Sequence, residues 1–404
     1  MDHTSMLPES IEALLKQDRD YLWHHLTQHK IFKTSEPLIM VQGQGLILKD
    51  IRGREYLDAT SGGVWCVNVG YGRDSIADAV CAQLKKMPYY AGTAGNIPTI
   101  QFARKVISLL PRLGKVFFSN SGSEANEKAF KMVRQYFRLK YKNKDKYKIL
   151  YRNRDYHGTT LAALSATGQQ ERKESYGPFL EGFVEFPHAC CYRCPVAKTY
   201  PGCSIECALA LEAVIQRQGP DTVGAIIVEP ITAGGGIIAP VKEYYPLLQE
   251  ICRKYEVLMI MDEVVCGFGR TGKMFGYEHY DIDPDMVTMA KGMASAYMPC
   301  PPQWSRMTSL TSSSMIRPTR WPISGTSAPT AAVPAPARQP WRAQGSSKRN
   351  ISARTAGSSG ITCSAAWRSS GLFRLWGMCG AGVSSPALNL SRTAKRSSRF
   401  RNPS

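Results

Sequence analysis

The last quarter of this 404-residue chain contains no acidic residue. Residues 301–404 hold fifteen Lys and Arg and no Asp or Glu, whereas the first 300 residues hold 36 basic and 32 acidic residues. The formal net charge of +19 therefore arises mostly in the tail, because the first 300 residues have a net charge of only +4. A basic surface of the kind that binds nucleic acid is not a property of the main part of the chain, and we expect no nucleic-acid partner.

Long apolar runs are also missing. No stretch of eighteen apolar residues occurs, and the first four residues lack the basic and apolar regions of a signal peptide. These absences predict a cytoplasmic protein without a membrane partner. In that compartment the twelve cysteines are expected to be reduced.

Five of the cysteines lie within residues 190–207, close to His188. Their C-x-x-C and C-x-x-x-C spacings are compatible with zinc binding, and the alternative is a cysteine-rich surface loop without a ligand. We expect the second alternative, hence no metal, and assign no catalytic role to this segment. The five residues are Cys190, Cys191, Cys194, Cys203 and Cys207.

The middle of the chain alternates between strand patterns and helix patterns. Continuous apolar runs of three to six residues are typical of parallel strands buried on both faces, and Phe130, Val133 and Phe137 share one face of an intervening helix. The sequence therefore predicts an α/β fold with a large, doubly wound, mainly parallel sheet and helices on both faces. The predicted strands are 116–118, 148–151, Val223–Val228 and 257–261.

Local patterns also predict the structure of several flanking segments. Residues 1–60 are interpreted as an N-terminal segment that contributes to a smaller domain, with a helix at 11–29 and a hairpin at 46–56. A large domain is expected at 61–299. The basic tract 140–148 is interpreted as a solvated helix end.

After residue 299 the composition changes abruptly. The tail, 300–404, is rich in Ser, Pro, Ala and Arg, yet it contains five tryptophans, which disordered tails avoid. When the codons are regrouped one base earlier, residues 300–310 become compatible with L-S-A-T-V-V-K-D-D-V-F, an alternating strand followed by an acidic helix start. Residues 323–342 become compatible with F-R-D-I-S-T-(H/Y)-G-G-C-T-G-A-G-A-A-T-L-E. We therefore hypothesise a frameshift, a one-base deletion near codon 300.

Asp262 and Lys291 form the most informative pair of residues. Asp262 closes the apolar run 257–261, and Lys291 lies on a loop 29 residues later. A lysine there can bind an aldehyde cofactor and then act as a base, while the carboxylate keeps a pyridine nitrogen protonated. The pair suggests pyridoxal 5'-phosphate. Taken singly, a loop lysine is usually solvated, and Asp262 could belong to a structural ion pair.

Three further motifs follow predicted strands. At 121–126 a strand leads into a helix, so that backbone N–H groups face an anion, although Ser123 could simply cap the helix. Tyr156, followed by His157, could stack on a pyridine ring or be a core tyrosine. Glu229 could orient groups at the cofactor's edge or cap a turn. The carboxyl ends of parallel strands meet at one edge of a sheet, so the three motifs are expected to lie there together with Asp262 and Lys291. This common location favours a cofactor site.

These motifs resemble those of the class III aminotransferases, which are fold-type I pyridoxal-phosphate enzymes. The resemblance covers about residues 20–299. Within the class the chain is most similar to members that transfer the amino group of taurine to pyruvate. The stretches that carry the resemblance are 119–126 (SNSGSEAN), 156–160 (YHGTT), 262–272 (DEVVCGFGRTG) and 290–292 (AKG), and, for the taurine-specific members, 22–25 (LWHH), 58–65 (DATSGGVW) and 232–236 (TAGGG).

The resemblance implies a role for each candidate residue. Lys291 and Asp262 would be catalytic, with Lys291 holding the cofactor covalently and Asp262 paired with its ring nitrogen. Val264 would pack behind the ring and Tyr156 in front of it. The implied cofactor-binding residues are Gly122, Ser123, Tyr156, His157, Glu229, Asp262, Val264 and Lys291, and the implied substrate-binding residues are Trp65 and Tyr156.

The resemblance also implies partners that this chain lacks as translated. Family members are homodimers or homotetramers, and a threonine of the neighbouring chain meets each phosphate. That threonine appears only in the regrouped frame, as Ser-Thr before paired glycines. The small C-terminal domain, with an arginine that binds the acceptor's carboxylate, would be lost to the same frameshift.

The implied reaction moves the amino group of an ω-amino donor, with taurine as the leading candidate, to pyruvate, giving sulfoacetaldehyde and alanine. Other ω-amino acids or diamines remain alternative donors. An aminomutase or a decarboxylase would keep the cofactor and change the chemistry. A protein that binds nucleic acid through its basic tail is the alternative from another class.

Overall fold

The computed structural model describes residues 9–25, 27–90, 92–141 and 145–297, and the backbone of 312–316. All of them belong to one compact unit of the chain, Met1–Ala331. The predicted aberrant tail therefore lies, apart from that short backbone segment, outside the described residues.

The N-terminal segment consists of one helix and a small antiparallel sheet. Ser10 caps the helix by accepting a hydrogen bond from the Ala13 amide at 3.1 Å. The helix is shorter than predicted, because Leu22 adopts an extended conformation and the His24 ring then hydrogen-bonds Asp18 at 2.7 Å. The predicted hairpin is present as the second and third strands. The elements are α1 (Ile11–Tyr21), β1 (Met40–Gln44), β2 (Ile47–Asp50) and β3 (Glu55–Leu57).

Seven strands form the main sheet. They are β4 (Lys115–Ser119), β5 (Lys148–Arg152), β6 (Phe183–Phe186), β7 (Val223–Val228), β8 (Leu258–Asp262), β9 (Met286–Met289) and β10 (Ser312–Ile316). Their spatial order is β4-β10-β9-β8-β7-β5-β6. The pairs β5–β6, β5–β7, β7–β8 and β8–β9 are parallel, and β10 is antiparallel to both β4 and β9. The prediction of a mainly parallel sheet is confirmed.

Helices cover both faces of this sheet. They are α2 (Asp74–Lys86), α3 (Ile97–Leu109), α4 (Gly122–Lys140), α5 (Leu161–Ser165), α6 (Glu206–Gln218) and α7 (Tyr244–Lys254). Along β7, Ile226 and Val228 pack into a cluster that includes α6 and α7, whereas Ala225 and Ile227 pack into a cluster that includes α4. Alternate side chains of one strand thus enter different cores, which is the doubly wound arrangement predicted from the continuous apolar runs.

Helix α4 buries the face that its sequence pattern predicts. Phe130, Val133 and Phe137 are all buried, and they pack against strand residues of the main sheet. The spacing of three and four residues places them on one side of the helix. This contact fixes the helix against the sheet, and so fixes the position of its N terminus.

The interpretation of tract 140–148 as solvated is wrong for Lys146. This lysine is only 3% exposed, and its Nζ donates hydrogen bonds to the carbonyls of Tyr255 at 2.7 Å and Glu256 at 3.2 Å. Those carbonyls follow the C-terminal end of α7, where the helix dipole favours a cation. Burial of this charge therefore depends on a distant helix end, which the local pattern does not reveal.

Candidate active site

Residues that follow four parallel strands meet at one edge of the main sheet. Tyr156 and His157 follow β5, Glu229 follows β7, Asp262 is the last residue of β8, and Lys291 follows β9. The start of α4 reaches the same edge, after β4. This is the edge at which open α/β sheets bind ligands.

The N terminus of α4 packs between two of these loops. Ser121 caps the helix by accepting a hydrogen bond from the Glu124 amide at 3.2 Å. A Cβ added to Gly122 would lie 3.1 Å from both methyl groups of Val264 and 3.5 Å from Cβ of Ala290. The helix start therefore lies directly beside the loop that carries Lys291, and its first amides have no acceptor within the helix.

Ser123 connects the helix to the loop after β5. Its Oγ accepts a hydrogen bond from the Thr159 amide at 3.0 Å. Gly158 has a φ of +141°, and a Cβ there would lie 2.3 Å from Ser123 Oγ. Only glycine allows this close approach, which holds the Tyr156 loop against the start of α4.

Asp262 is a buried carboxylate that is bonded on both oxygens. Its Oδ2 accepts a hydrogen bond from Asn126 Nδ2 at 2.9 Å and lies 2.7 Å from His157 Nδ1, and its Oδ1 accepts from the Val264 amide at 3.0 Å. Within the described parts of the chain it forms no ion pair with lysine or arginine. Such a carboxylate suits a cationic partner that is not a protein side chain.

Glu229 acts on the neighbouring loops through backbone contacts. Its carboxylate accepts hydrogen bonds from the amides of Tyr156 at 2.8 Å and Ala233 at 3.0 Å. Burial, together with the charges of Asp155 and Asp262, raises the pKa of Glu229 well above its usual value. Glu229 therefore closes its own turn and also holds the loop that carries Tyr156.

Tyr156 is a half-buried aromatic residue at this edge. Burial raises the pKa of its hydroxyl, and the guanidinium of Arg172 lies 4.9 Å from the centre of its ring. One face of the tyrosine is therefore covered by a cation. The role of Tyr156 as a stacking residue stays a prediction.

Lys291 occupies a strained loop position. Its φ is +44°, in the left-handed region that residues other than glycine rarely adopt. A Cβ on the next residue, Gly292, would lie 2.3 Å from Asn68 Nδ2 and 3.2 Å from Cβ of Phe268. The lysine loop is thus packed tightly against the loop that follows Trp65.

Trp65 belongs to an irregular turn at Ser61–Trp65. Ser61 and Trp65 have positive φ values of 55° and 59°, and the carbonyl of Trp65 accepts a hydrogen bond from Arg270 at 3.3 Å. Burial raises the pKa of the adjacent Cys66 thiol, and the charges of Lys291 and Arg270 oppose this. These interactions place the turn beside the lysine, where a substrate pocket was predicted.

The donor set at this edge fits pyridoxal 5'-phosphate. Within the described residues, Asp262 presents a buried carboxylate without a lysine or arginine partner, and the first amides of α4 present an anion site at the same sheet edge. Lys291 lies on the loop next to both. A ring bearing a cationic nitrogen, a phosphate and an aldehyde would satisfy all three groups.

Asn126 contributes to this edge and was not predicted to do so. It is fully buried, and its Nδ2 donates to the carbonyl of His157 at 2.7 Å and to Asp262 at 2.9 Å. Asn126 lies four residues before Phe130, on the helix face that the sequence predicts to be buried. An amide on an apolar face needs polar partners, and this signal could have identified it.

The cysteine segment follows β6, the strand at one end of the main sheet. Burial raises the pKa of Cys191, and the charges of Cys203, Cys194 and Cys190 raise it further, so these thiols are neighbours. Among the described residues, no three His, Cys, Asp or Glu side chains are arranged to hold a metal ion. The described chain also contains no helix that is both long and apolar enough to cross a membrane.

A mainly parallel sheet that presents a lysine, a buried carboxylate and a helix N terminus at one edge has the architecture of a pyridoxal-phosphate enzyme. The model of the class-III aminotransferases matches residues 31–308. The chain belongs to the class-III aminotransferase family, whose members depend on pyridoxal 5'-phosphate. The fold class and cofactor predicted from the sequence are confirmed.

Individual relatives resemble the chain over most of the described residues. It is 55% identical over 290 residues to the hypotaurine/taurine–pyruvate aminotransferase of Paracoccus denitrificans and 57% identical over 289 residues to the taurine–pyruvate aminotransferase of Bilophila wadsworthia. These alignments cover 72% and 71% of this chain, and 62% of each relative. A crystal structure of a Bacillus anthracis aminotransferase matches with a TM-score of 0.69 at 39% identity, covering 76% of this chain and 65% of the other. The chain thus spans less than two thirds of the length of these relatives.

Proposed function

We propose that the chain carries the catalytic centre of a transaminase that transfers the amino group of an ω-amino donor, taurine in the first place, to pyruvate. The products are sulfoacetaldehyde and alanine. The observation that carries the proposal is the meeting of Lys291, Asp262 and the start of α4 at one sheet edge. The donor and the acceptor are suggested by relatives named for taurine and pyruvate.

The start of α4 and the carboxylate of Asp262 would position the cofactor. When bound, pyridoxal 5'-phosphate supplies an aldehyde carbon that accepts an amino group and a ring that withdraws electrons from the carbon bearing it. The amides of Gly122 and Ser123 would bind the phosphate at the positive end of the helix. Asp262 would hold a proton on the ring nitrogen, and His157, whose Nδ1 lies 2.7 Å from the carboxylate, would keep that carboxylate oriented.

The side chains around the ring would exclude water and fix its plane. Tyr156 would cover one face of the ring, and Val264, which lies next to Gly122, would pack on the other. Glu229 orients Tyr156 through the backbone amide. Trp65 lines the substrate side, because its turn packs against the loop of Lys291.

Lys291 has two tasks in this proposal. Its Nζ would hold the cofactor covalently between turnovers. When it is not bound in this way, the same amine would take a proton from the donor carbon that carries the amino group. It would also return a proton to the carbon that becomes Cα of alanine.

Product analysis tests this function. Incubation of the cofactor-loaded chain with taurine and pyruvate should yield alanine and sulfoacetaldehyde in equal amounts. An aminomutase or a decarboxylase would not make alanine from pyruvate, so absence of alanine with consumption of the amino donor would contradict the proposal. Comparison of kcat/KM for taurine, β-alanine and a diamine then identifies the donor.

We also propose that the reading frame slips near codon 300, so that the domain division is 1–60, 61–299 and an aberrant 300–404. The family match ends at residue 308, a few residues after the change in composition that follows residue 299. The strand position between β4 and β9 is filled by Ser312–Ile316, and the regrouped string for 300–305 offers an apolar strand for the same position. Sequencing the DNA around codon 300 tests this, since an intact open frame with no acidic continuation would contradict it.

The restored enzyme is proposed to be a cytoplasmic homodimer or homotetramer. Three adjacent apolar side chains, Tyr21, Leu22 and Trp23, are exposed in the N-terminal segment, as expected for a surface that another domain or subunit covers. Nine cysteines in the described residues are free thiols, which is typical of a reducing compartment. Sedimentation of the frame-restored protein would give the oligomeric state.

A further inference from the structure

A cavity of about 340 Å³ opens beside the Lys291 loop. It lies between the turn at Ser61–Trp65 and the loop after β8. Asn68 connects it to the lysine, because its Nδ2 donates to the carbonyl of Phe268 at 3.1 Å and packs against Gly292. The polar or charged side chains that line the cavity are those of Asp58, Ser61, Asn68, Tyr71 and Arg270.

Arg270 is the basic residue of this lining. Its Nη2 donates hydrogen bonds to Asn68 Oδ1 at 2.6 Å, to Ser61 Oγ at 3.2 Å and to the carbonyl of Trp65 at 3.3 Å. All three acceptors are neutral. Within the described part of the chain Arg270 forms no ion pair, and its Nη1 and Nε donate no hydrogen bond. One edge of the planar guanidinium is therefore held in place while the other remains open to an oxyanion.

The acidic residue of the lining does not neutralise this arginine. Asp58 accepts hydrogen bonds from Tyr71 at 2.8 Å and from the amide and hydroxyl of Thr60 at 3.0 and 2.9 Å. It also accepts from the Gly62 amide at 2.6 Å. With its oxygens bonded in this way, Asp58 organises the turn rather than pairing with the guanidinium.

Other arginines near the site are arranged differently. Arg152 is fully buried and paired with Asp155 at 3.0 Å. Arg172 lies over the ring of Tyr156, and its Nε donates to Gln169 Oε1 at 2.6 Å. Arg270 differs from both because it lines a cavity, and that cavity adjoins the lysine loop.

We propose that Arg270 binds the terminal anionic group, sulfonate or carboxylate, of the amino donor. Asn68, Ser61 and the Trp65 carbonyl hold the guanidinium so that a short donor can place its anion there and its amine near Lys291. The inference rests on the proposed function, because it requires a donor with an amine at one end and an oxyanion at the other. It assigns the donor's anion to this chain's described residues, separately from any group that binds the acceptor.

Binding of ethanesulfonate, which carries the anion without the amine, tests the proposal directly. Titration calorimetry on the cofactor-loaded full chain should show that Arg270→Gln weakens binding at least tenfold. Arg270→Lys should weaken it less, because lysine keeps the charge and loses the two-pronged geometry. Arg172→Gln should bind within about twofold of wild type. No binding to wild type, equal binding to Arg270→Gln, or a loss in Arg172→Gln alone would each overturn the proposal.

Propionate in the same titration identifies the preferred anion. A dependence on Arg270 for either ligand supports the subsite. Tighter binding of ethanesulfonate would indicate an ω-amino sulfonate donor, and tighter binding of propionate would indicate an ω-amino carboxylate donor. Thermal melting of each variant, in the absence of ligand, shows whether it is folded.

Alkylation of Cys66 gives a readout that needs neither turnover nor cofactor. Its half-buried thiol follows Trp65, whose carbonyl accepts a hydrogen bond from Arg270 Nη2 at 3.3 Å. The guanidinium beside it should favour anionic iodoacetate there over neutral iodoacetamide. Peptide mass spectrometry should show that Arg270→Gln lowers the iodoacetate to iodoacetamide ratio severalfold at Cys66 and leaves it unchanged at Cys81. An unchanged ratio at Cys66 would overturn the proposal.

Failure of the subsite and failure of the proposed function can be distinguished. If taurine is not a donor but ethanesulfonate binding still depends on Arg270, the donor is wrong and the subsite stands. If wild type and Arg270→Gln transaminate taurine with equal KM, the function stands and the subsite is overturned.

Discussion

Two regions of the described chain bury their apolar side chains very differently. In the main sheet, every residue of β7, β8 and β9 is buried, and Phe137 on the covering helix α4 is 1% exposed. In the N-terminal segment, 9–60, Trp23 is 92% exposed and many other large apolar side chains face outward. These include Tyr21, Leu22, Ile31, Leu38, Met40, Val41, Leu46, Ile47 and Leu57.

The difference shows which of the two regions buries its apolar side chains with residues of the described chain alone. The main sheet has a packed core on each face, formed entirely by residues of the described chain. The N-terminal segment has an apolar surface of the kind that a protein partner or a further domain covers. We therefore expect the positions of Lys291 and Asp262 at the sheet edge to depend less on such a cover than the N-terminal segment does.

The largest expected effect is a loss of catalytic activity, caused by a substitution in the sheet region. Lys291→Ala should lower alanine formation from taurine and pyruvate by about 10⁴-fold, because the residue that binds the cofactor and moves the proton is lost. The exposed lysine of the neighbouring loop, Lys273, serves as the control, and Lys273→Ala should keep the wild-type rate. Retention of more than about a tenth of the activity in Lys291→Ala would contradict the assignment.

Matched truncations in the two regions should differ in their effect on stability. Phe137→Ala should lower the free energy of unfolding by about 3–5 kcal/mol, because it leaves a cavity under α4. Trp23→Ala should change it by less than about 0.5 kcal/mol, because the side chain is already in solvent. Urea unfolding of both variants measures the difference. Equal losses would mean that Trp23 is covered in solution.

Restoring the reading frame should protect the N-terminal segment. Limited proteolysis of the chain as translated should cleave first within 9–60, and insertion of one base at codon 300 should slow that cleavage by about tenfold. The cleavage rate within Val223–Val228 and its flanking loops should change much less. Fragment mass spectrometry over time gives both rates. If cleavage slowed equally in both regions, the claim that only the N-terminal segment depends on a cover would be wrong.

The smallest expected effect is on the pH dependence of stability, and it concerns Glu263 in the sheet region. Burial raises the pKa of Glu263 to about 8 from its ordinary 4.5, although the amides of Gly276 and Tyr277 donate to it. Because the folded state favours the protonated form, its contribution to stability is complete below about pH 4.5 and is lost as the pH rises to about 8. Glu263→Gln should cost about 1 kcal/mol through a mismatched hydrogen bond, and should flatten the fall of Tm above neutral pH. A wild-type Tm that rises with pH over this range would contradict the assignment.

Much of the sheet region could be predicted from sequence because its signals are local. The apolar run Val223–Val228 is a strand with the predicted boundaries, and the strands around 116–118, 148–151 and 257–261 differ by only one or two residues. The meeting of Tyr156, Asp262 and Lys291 followed from a general property of parallel sheets, whose strand ends share one edge.

Other features depend on contacts that no local pattern contains. The pairing of Ser313 with Phe118 joins segments nearly 200 residues apart. The burial of Lys146 depends on carbonyls beyond the end of α7. Arg270 was part of a recognised motif, but only the fold shows that its partners are neutral and that it faces a cavity beside the lysine loop.

The central claim is that this chain holds pyridoxal 5'-phosphate at the sheet edge through Lys291. Incubation with the cofactor, reduction with borohydride and peptide mass spectrometry would locate the covalent attachment directly. We predict a single modified peptide that contains Lys291, and no label there in Lys291→Ala. Attachment to another lysine, or a wild-type chain that melts cooperatively yet takes up no label, would contradict the claim.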